Sequence, residues 1–403
     1  MNIWYISKYA SPLKYGFATR HFYLSKEFEK KGINTTIISS DSNHLVNFPN
    51  FTQTYNQENI DGVETWFIRT KKYYGAHSFG RILSWFDFEW KLLKWSKKDL
   101  DTPDVIIVSS LSIFTIVSGL ILRKKYGVKL IFEVRDIWPL TITEVAGTSN
   151  YHPFILLLSR IEKLGYRKSD IVVGTMPNLK EHVNNLLNVE KEVYCIPQGV
   201  DIELYQNPEK LSEEYIQKYI PKDKFIVGYA GTIGKSNALD TIVDVAEKLK
   251  DNEKIHFLLV GDGDYREELM ERSSGIENLT FAPKVKKAQV QSVIQYCDVL
   301  YDSVIDSKLY DYGLSRNKWI DYMFAGKPML VSFKGFKSMI NEAENGYFVK
   351  PENTEELMEK IKELYHLPSK ELMEMGQRGK DWLLENRTFD KLAEKYLKIL
   401  KNA

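Results

Sequence analysis

Residues Gly313–Leu330 read GLSRNKWIDYMFAGKPML: polar residues first, then a helical pattern, then a break at Gly-Lys-Pro. A short apolar run, Val299–Asp302, precedes this stretch, and a second one, Pro328–Ser332, ends in a β-branched residue and a serine. Glycine and proline mark the end of a helix because neither favours its continuation. The stretch therefore predicts a strand, a helix and a strand, which is the repeating unit of a parallel sheet.

The same alternation extends through the chain. Strands of the first half are predicted at Ile3–Ser7, Asn34–Ser40, Glu64–Arg69, Asp104–Ser109, Lys129–Val134, Ile171–Gly174 and Glu192–Ile196. Strands of the second half are predicted at Lys224–Tyr229, Ile255–Val260, Asn278–Phe281, Val299–Asp302, Pro328–Ser332 and Tyr347–Val349. Helices are predicted between most of them, among them Phe17–Lys31, Asn237–Lys250, Asp264–Arg272, Lys287–Tyr296 and Arg316–Ala325. The pattern indicates an α/β fold with two doubly wound, Rossmann-like domains.

The domain boundary is expected in the linker Pro197–Pro208. The predicted domains are residues 1–197, residues 198–385, and a tail of residues 386–403 whose helix packs back on the first domain. Ligands of open parallel sheets bind beyond the carboxyl ends of the strands. Two such edges are expected to face one cleft, so candidate site residues are sought in the loops that follow strands.

Composition limits the class of protein. The chain has 403 residues, 43% hydrophobic and 27% charged, and a formal net charge of +1. These values are ordinary for a soluble globular protein and exclude a disordered, collagenous or coiled-coil chain. Val105–Leu122 lacks charged residues, but its serines favour strand, loop and helix over a membrane span. Cys195 and Cys297 lack metal-ligand spacing, which predicts thiols in a reducing cytoplasm and no metal site. No nucleic-acid partner is expected.

The loop Ala230–Ser236 reads AGTIGKS and opens a predicted helix. Gly231 and Gly234, on either side of Thr232, let the backbone approach a ligand, and Lys235 adds an ammonium group. The spacing is not that of a P-loop. The loop therefore predicts a phosphate contact without identifying a nucleotide.

The loops of the first domain give weaker signals. Asp136 follows the strand Lys129–Val134 and suits a general base or a contact to a substrate hydroxyl. A structural salt bridge is the alternative for this carboxylate. The loop after the first strand contains only Gly16, so it lacks the three-glycine fingerprint of dinucleotide binding.

Two further segments allow two interpretations each. Phe79–Lys98 interleaves basic residues with large aromatic ones, which suits either a helix lying on an anionic membrane or a helix that buries its aromatic side chains. Asp262 and Asp264 could hold a divalent ion, but Asp264 as a helix cap is the favoured interpretation.

Together these loops resemble the retaining glycosyltransferases of family 4, which have the GT-B fold. The resemblance covers nearly the whole chain. It rests on Gly16 with Arg20, Arg135–Pro139, Ile196–Asp201, Tyr229–Lys235, Leu259–Gly263 and Asn317–Pro328. Within the family, the chain is most similar to the surface-polysaccharide branch that includes the L-fucosamine (N-acetylfucosamine) transferases of O-antigen and capsule assembly.

The resemblance implies a UDP-sugar donor bound by the second domain and a polyprenyl-diphosphate-linked glycan acceptor bound by the first, at the inner face of the cell membrane. It implies no cofactor and no metal. The implied catalytic residues are Asp136, for the acceptor hydroxyl, and Lys235, for the leaving diphosphate. The implied donor-binding residues are Gly16, Gly231, Thr232, Gly234, Lys235, Lys284, Val285, Asp311, Gly313, Leu314, Arg316, Asn317, Lys318 and Asp321. The implied acceptor-binding residues are Arg20, Arg135 and Trp138.

The chain departs from the family pattern at an acidic position. Asp321 falls at the second acidic position of the E-x7-E motif, whose carboxylate binds the ribose hydroxyls. Gly313 falls where the first glutamate would be, and Asp311 is a candidate substitute.

A second departure concerns phosphate binding. Thr232 and Asn237 stand where the family often has arginine and lysine. Lys235 is the expected substitute, with Lys318 or Arg316 as the second cation.

Two other functions remain open from the sequence. The first is a UDP-sugar 2-epimerase on the same fold, against which the absence of histidines from the key loops counts. The second is a non-catalytic sugar-nucleotide-binding subunit, a hypothesis motivated by Gly313.

Overall fold

The computed structural model describes residues 1–16, 19–43, 46–73, 75 and 78–402. The chain forms two compact units. Unit 1 comprises Met1–Pro197 and Phe389–Ala403, and unit 2 comprises Gln198–Thr388. The predicted helix Phe17–Lys31 is observed as Arg20–Lys30, and the predicted residue Phe17 lies outside the described residues.

Unit 1 contains one eight-stranded sheet. Its strands are β1 (Asn2–Ile6), β2 (Asn34–Ser40), β3 (Tyr55–Ile60), β4 (Val63–Ile68), β5 (Val105–Ser109), β6 (Lys129–Val134), β7 (Ile171–Gly174) and β8 (Val193–Cys195). The order is β3-β4-β2-β1-β5-β6-β7-β8, and every neighbouring pair is parallel except β3 and β4. The helices between them are α1 (Arg20–Lys30), α2 (Phe79–Lys94), α3 (Thr115–Tyr126), α4 (Leu140–Ala146), α5 (Pro153–Lys168) and α6 (Leu179–Leu187).

Unit 2 contains a six-stranded, wholly parallel sheet. Its strands are β9 (Phe225–Ala230), β10 (Ile255–Val260), β11 (Leu279–Ala282), β12 (Val299–Ser303), β13 (Met329–Ser332) and β14 (Gly346–Val349). Its helices are α7 (Ile202–Gln206), α8 (Glu213–Tyr219), α9 (Asp240–Lys248), α10 (Arg266–Arg272), α11 (Val290–Ile294), α12 (Asn317–Phe324), α13 (Met339–Ala343), α14 (Thr354–His366) and α15 (Ser369–Asn386). The order β11-β10-β9-β12-β13-β14 runs outward in both directions from β9, so the sheet is doubly wound as predicted.

One further helix, α16 (Phe389–Asn402), follows unit 2 in the chain but belongs to the core of unit 1. The ring of Phe389 stacks on Tyr23 of α1 with centroids 4.7 Å apart. Leu392 and Tyr396 are fully buried in the same core. The helix is amphipathic, so it completes the apolar layer that α1 begins on that face of the sheet.

The sequence did not predict β3, the edge strand that pairs antiparallel with β4. Its sequence, YNQENI, is polar and largely solvent-accessible, so it lacks the apolar run by which buried strands are recognised. The uncharged segment Val105–Leu122 divides into β5 and α3 as expected. Among the residues that the structure describes, no helix is long and apolar enough to cross a membrane.

Candidate functional site

Three loops of unit 2 meet at the carboxyl end of its sheet. The loop after β9 packs closely against the first turn of α12. The space between them is so small that a Cβ added to Gly231 would lie only 2.7 Å from Cδ of Lys318. The same loop contacts the one after β10, where Ile233 N donates a hydrogen bond of 3.0 Å to Asp262 O. This edge is where open parallel sheets bind ligands.

Asp302, at the end of β12, lies at the centre of this edge. Its carboxylate is fully buried, with Oδ1 2.8 Å from Lys318 Nζ and Oδ2 3.1 Å from Arg316 Nε. Trp319 Nε1 donates a further hydrogen bond of 2.8 Å to Oδ2. Burial alone raises the pKa of a carboxyl, but Arg316 and Lys318 hold the pKa of Asp302 below its ordinary value. The sequence signal for this residue was a carboxylate ending an otherwise apolar strand.

Lys318 Nζ is held among three oxygen atoms. Besides Asp302, it contacts the hydroxyl of Tyr229 at 2.8 Å and Oδ1 of Asn237 at 3.2 Å. Burial and, to a lesser extent, the charge of Arg316 lower the pKa of Lys318, Asp302 opposes them, and the net pKa is about 7. A group with this pKa changes its charge near neutral pH, and an approaching anion favours its protonated form.

Arg316 belongs to the same cluster, whereas Lys235 does not. Arg316 donates from Nη1 to Ser303 O at 3.1 Å and from Nη2 to Asn237 Oδ1. The side chain of Lys235 is 75% exposed and lies 3.8 Å from Glu268. The loop closes in a 3-10 turn that directs Asn237 inward and Lys235 outward. The contact of Lys235 with a phosphate stays a prediction, and Asn237 is the residue of this loop that contacts both Arg316 and Lys318.

Asp321 has partners that the sequence did not indicate. Its carboxylate is nearly buried, with Oδ1 2.5 Å from Lys287 Nζ. The hydroxyl of Tyr205 also donates to Oδ1. Lys287 and Tyr205 are distant from Asp321 in the sequence, so only the fold reveals this contact.

The turn before α12 explains the missing glutamate. Gly313 has φ +86°, in the region that favours glycine, so a glutamate there would be strained. Asp311 lies exposed in the preceding 3-10 turn, and Leu314 packs against the core of unit 2. Asn317 is exposed at the first position of α12.

The loops after β10 and β11 form the outer rim of this edge. Lys284 Nζ lies 3.0 Å from Asp262, and this contact lowers the pKa of the aspartate. Val285 packs partly buried against the core. Asp264 does not cap α10, because the helix begins at Arg266 and the capping position is one residue past Asp264. Within the described parts of the chain, no three His, Cys, Asp or Glu side chains are grouped to hold a metal ion.

Asp136, Arg135 and Trp138 follow β6 at the carboxyl end of the unit 1 sheet. Burial raises the pKa of Asp136, while Arg135 and Arg81 lower it. Nη1 of Arg135 and Nε1 of Trp138 are buried and have no hydrogen-bond partner among the described residues. Arg81 lies on α2, and its influence on Asp136 was not predicted.

Arg20 begins α1, and Gly16 lies in the loop between β1 and α1. Arg20 is fully buried, donates 2.8 Å from Nη1 to Ile196 O and lies 3.5 Å from Glu133. It is therefore enclosed in unit 1, and its contact with the acceptor stays a prediction. Gly16 ends the 3-10 turn Leu13–Tyr15 with φ +113°.

The segment Phe79–Lys98 buries some of its aromatic side chains and exposes others. The inward face of α2 buries Trp85 and Phe88, whereas Phe86 and Trp90 are 48% and 60% exposed. Lys94 Nζ lies over the Trp90 ring, 4.4 Å from its centroid. Lys97, one of the basic residues of the segment, is buried and donates to the carbonyl oxygens of Leu92 and Trp95, and burial lowers its pKa to about 8.

Solved structures with similar architecture cover almost the whole chain. The chain is similar to sucrose-phosphate synthase from Thermosynechococcus elongatus, with a TM-score of 0.74 and 15% identity over 100% of this chain and 98% of that one. It is similar to HepE from Anabaena in complex with UDP and glucose, with a TM-score of 0.64 and 14% identity over 100% and 99% of the two chains. At these identities the likeness shows the fold, which is GT-B.

Two glycosyltransferase family models match the chain, one in each unit. Residues 16–204 match the family described as Glycosyltransferase Family 4, and residues 224–367 match the family described as Glycosyl transferases group 1. The chain is a GT-B glycosyltransferase. This glycosyltransferase is also similar to WcaI of Escherichia coli K12, a protein named for colanic acid biosynthesis, with 20% identity over 66% of this chain and 67% of WcaI.

We predict that Asp302→Ala lowers the free energy of unfolding of the glycosyltransferase by about 3–5 kcal/mol, because it leaves two nearly buried cations without their carboxylate. The matched control is Asp306→Ala, which removes an exposed carboxylate from the loop after the same strand and should change stability by less than about 0.5 kcal/mol. Urea unfolding measures both. Equal midpoints for the two variants would contradict the central role of Asp302.

Proposed function

We propose that the glycosyltransferase transfers a sugar from a UDP-sugar to a lipid-linked glycan with retention of anomeric configuration. The observation that carries the proposal is the pair of cations, Arg316 and Lys318, held by Asp302 at the start of α12. Negative charge develops on a diphosphate as its bond to the sugar breaks, and fixed cations stabilise that charge. The N-terminal end of α12 adds the positive end of its dipole.

The comparisons support the class of donor and a role in polysaccharide synthesis. HepE is described in complex with UDP and glucose, and a similar Escherichia coli structure is described with bound UDP-2-fluoro glucose. WcaI is named as a glycosyl transferase of colanic acid biosynthesis. We therefore propose a role in capsule or O-antigen assembly, at the cytoplasmic face of the membrane, with N-acetyl-L-fucosamine as the candidate sugar.

The proposed reaction exchanges one bond at the anomeric carbon. The bond from this carbon to the β-phosphate oxygen breaks, and the electron pair leaves with UDP, next to Arg316 and Lys318. The acceptor hydroxyl oxygen forms the new bond on the same face of the sugar, and its proton passes to Asp136. Burial raises the pKa of Asp136, which makes its carboxylate a better base than an exposed one. No metal or cofactor takes part in this proposal.

The remaining donor contacts are proposed from the positions of these residues in the loops and helices of unit 2. Asp321 would accept hydrogen bonds from the ribose hydroxyls in place of Tyr205. The other proposed contacts are made by Gly231, Thr232 and Gly234 to the phosphates, Lys284 and Val285 to the base, and Asp311, Gly313, Leu314 and Asn317 to the sugar.

We predict that UDP and UDP-sugars raise the melting temperature of the protein in a panel that also contains GDP- and dTDP-sugars. The reason is that a ligand bound only by the folded state stabilises that state. A shift with GDP compounds and none with UDP compounds would overturn the proposed donor.

We predict that the affinity for the UDP-sugar giving the largest shift falls as pH rises from 6 to 9. The pKa of Lys318 is about 7, so its cationic form prevails below that pH and its neutral form above it. The affinity should fall by about tenfold per pH unit above 7, since one pKa unit corresponds to ~1.4 kcal/mol. Calorimetry at several pH values measures it.

The matched control for this titration is Lys318→Gln, which should bind weakly at pH 6 and show a flatter pH profile. Lys235→Gln removes an exposed lysine of the neighbouring loop and should keep the wild-type profile. Identical slopes for wild type and Lys318→Gln would assign the pH dependence to another group.

We also propose that the outward face of α2 lies on anionic lipid. Phe86 and Trp90 expose aromatic rings, and Lys94 adds a positive charge beside Trp90. Aromatic rings favour the membrane interface, and lysines are attracted to anionic head groups.

We predict that Phe86→Ser with Trp90→Ser reduces co-flotation of the protein with vesicles containing phosphatidylglycerol by at least several-fold. Met373→Ser, an exposed apolar residue of unit 2, is the control and should float as wild type does. Unchanged flotation of the α2 double variant would contradict the proposed membrane surface.

A further inference from the structure

One lysine of unit 2, Lys287, contacts the carboxylate of Asp321 and has no role in the reaction proposed above. Its Nζ lies 2.5 Å from Oδ1 of Asp321, whose side chain is only 8% exposed. The hydroxyl of Tyr205 donates to the same oxygen, and Lys287 Nζ lies 5.1 Å from the centroid of the Tyr205 ring. Both partners therefore bind Oδ1, whereas Oδ2 has no hydrogen-bond partner among the described residues.

The segment that carries Lys287 is fixed relative to α12 by a second contact. Lys287 begins the 3-10 turn Lys287–Gln289, which leads directly into α11. In α11, Nε2 of Gln291 donates a hydrogen bond of 2.9 Å to the backbone oxygen of Asp321. The ammonium group of Lys287 therefore approaches the carboxylate from an element whose position against α12 is already set. A supporting contact of this kind is what keeps a binding group in its productive orientation.

The two partners of Oδ1 differ in what can replace them. A ribose has adjacent 2′ and 3′ hydroxyl groups, and each can donate to an ionised carboxylate. Tyr205 also donates through an uncharged hydroxyl, so a ribose hydroxyl can take its place at the same oxygen. A hydroxyl cannot replace Lys287 in this way, because a nearly buried carboxylate would then lose its cation. Lys287 is therefore the partner that remains when a ribose binds.

We propose that Lys287 is a positioning residue that makes the donor site selective for ribose over 2′-deoxyribose. This inference rests on the proposed function, in which Asp321 accepts hydrogen bonds from the ribose hydroxyls. Lys287 stays on Oδ1 and fixes the direction of the carboxylate, while Tyr205 gives up its hydrogen bond to a ribose hydroxyl. Asp321 stands where the E-x7-E motif has the longer glutamate, so these partners belong to this chain and not to the motif.

The test compares the affinities of UDP and 2′-deoxy-UDP by calorimetry. Wild type should bind UDP at least about tenfold more tightly, because the missing hydroxyl would have donated to a charged acceptor. Lys287→Gln should weaken UDP binding and change 2′-deoxy-UDP binding little, so that the ratio of the two affinities falls by at least about fivefold. Lys287→Arg keeps a cation and should retain most of the ratio.

The matched control is Lys286→Gln, which removes the neighbouring lysine. The side chain of Lys286 is 76% exposed and lies 3.4 Å from Glu209, so its loss should leave both affinities unchanged. Tyr205→Phe removes only the hydroxyl that a ribose would displace. It should bind UDP at least as tightly as wild type and keep the preference over 2′-deoxy-UDP. Loss of that preference in Tyr205→Phe would assign the orientation of Asp321 to the tyrosine and overturn the role of Lys287.

The remaining outcomes separate this inference from the proposed donor. Equal weakening of UDP and 2′-deoxy-UDP in Lys287→Gln would assign Lys287 to the phosphates or to the fold and overturn its positioning role. In Asp321→Asn, adding Lys287→Gln should not change the ratio further, because the carboxylate is already absent, and a further fall would also overturn the role. Wild type that binds both nucleotides equally overturns the inference and leaves the UDP donor intact. Wild type that binds neither nucleotide instead overturns the proposed function.

Discussion

A carboxylate without access to water determines the geometry of the candidate donor site. Burying an ionised aspartate costs several kcal/mol unless opposite charges and hydrogen bonds compensate. Asp302 meets this requirement with Arg316, Lys318 and Trp319, all from the start of α12. The same contacts fix the two cations relative to the sheet, so a diphosphate would find them already oriented. Preorganised charge of this kind stabilises a leaving group without further rearrangement.

Unit 1 contains another buried carboxylate, Glu133, and the cation paired with it is buried as well. Glu133 accepts hydrogen bonds from the hydroxyls of Tyr5 and Ser109, and Arg20 lies 3.5 Å away. Glu133 and Asp302 occupy the same kind of position, because each is the penultimate residue of its strand, β6 and β12. Their cations differ: the side chain of Arg20 is fully buried, whereas those of Arg316 and Lys318 are 17% and 14% exposed. Arg316 and Lys318 therefore remain partly accessible from outside, and Arg20 does not.

The sequence predicted the architecture well because buried parallel strands produce continuous apolar runs. The predicted bounds of β2, β6, β7 and β10 agree with the structure. The exposed strand β3 gave no such run and was missed. Arg316, Lys318 and Asp321 were predicted as site residues from their motif, but the side chains that contact them were not predicted. Side-chain pairs such as Lys318 with Asp302 or Asp321 with Lys287 depend on how loops fold, and no local pattern encodes them.

The position of α16 has a consequence for how the protein is made. Unit 1 lacks part of its core until Phe389–Asn402 has been synthesised, whereas every residue of unit 2 precedes that segment in the chain. At ribosomal rates, the intervening unit takes on the order of 10 to 40 s to translate. During that time the face of unit 1 that α16 covers is open to water. The nascent protein therefore has a natural order of maturation, in which the second unit can close its core before the first.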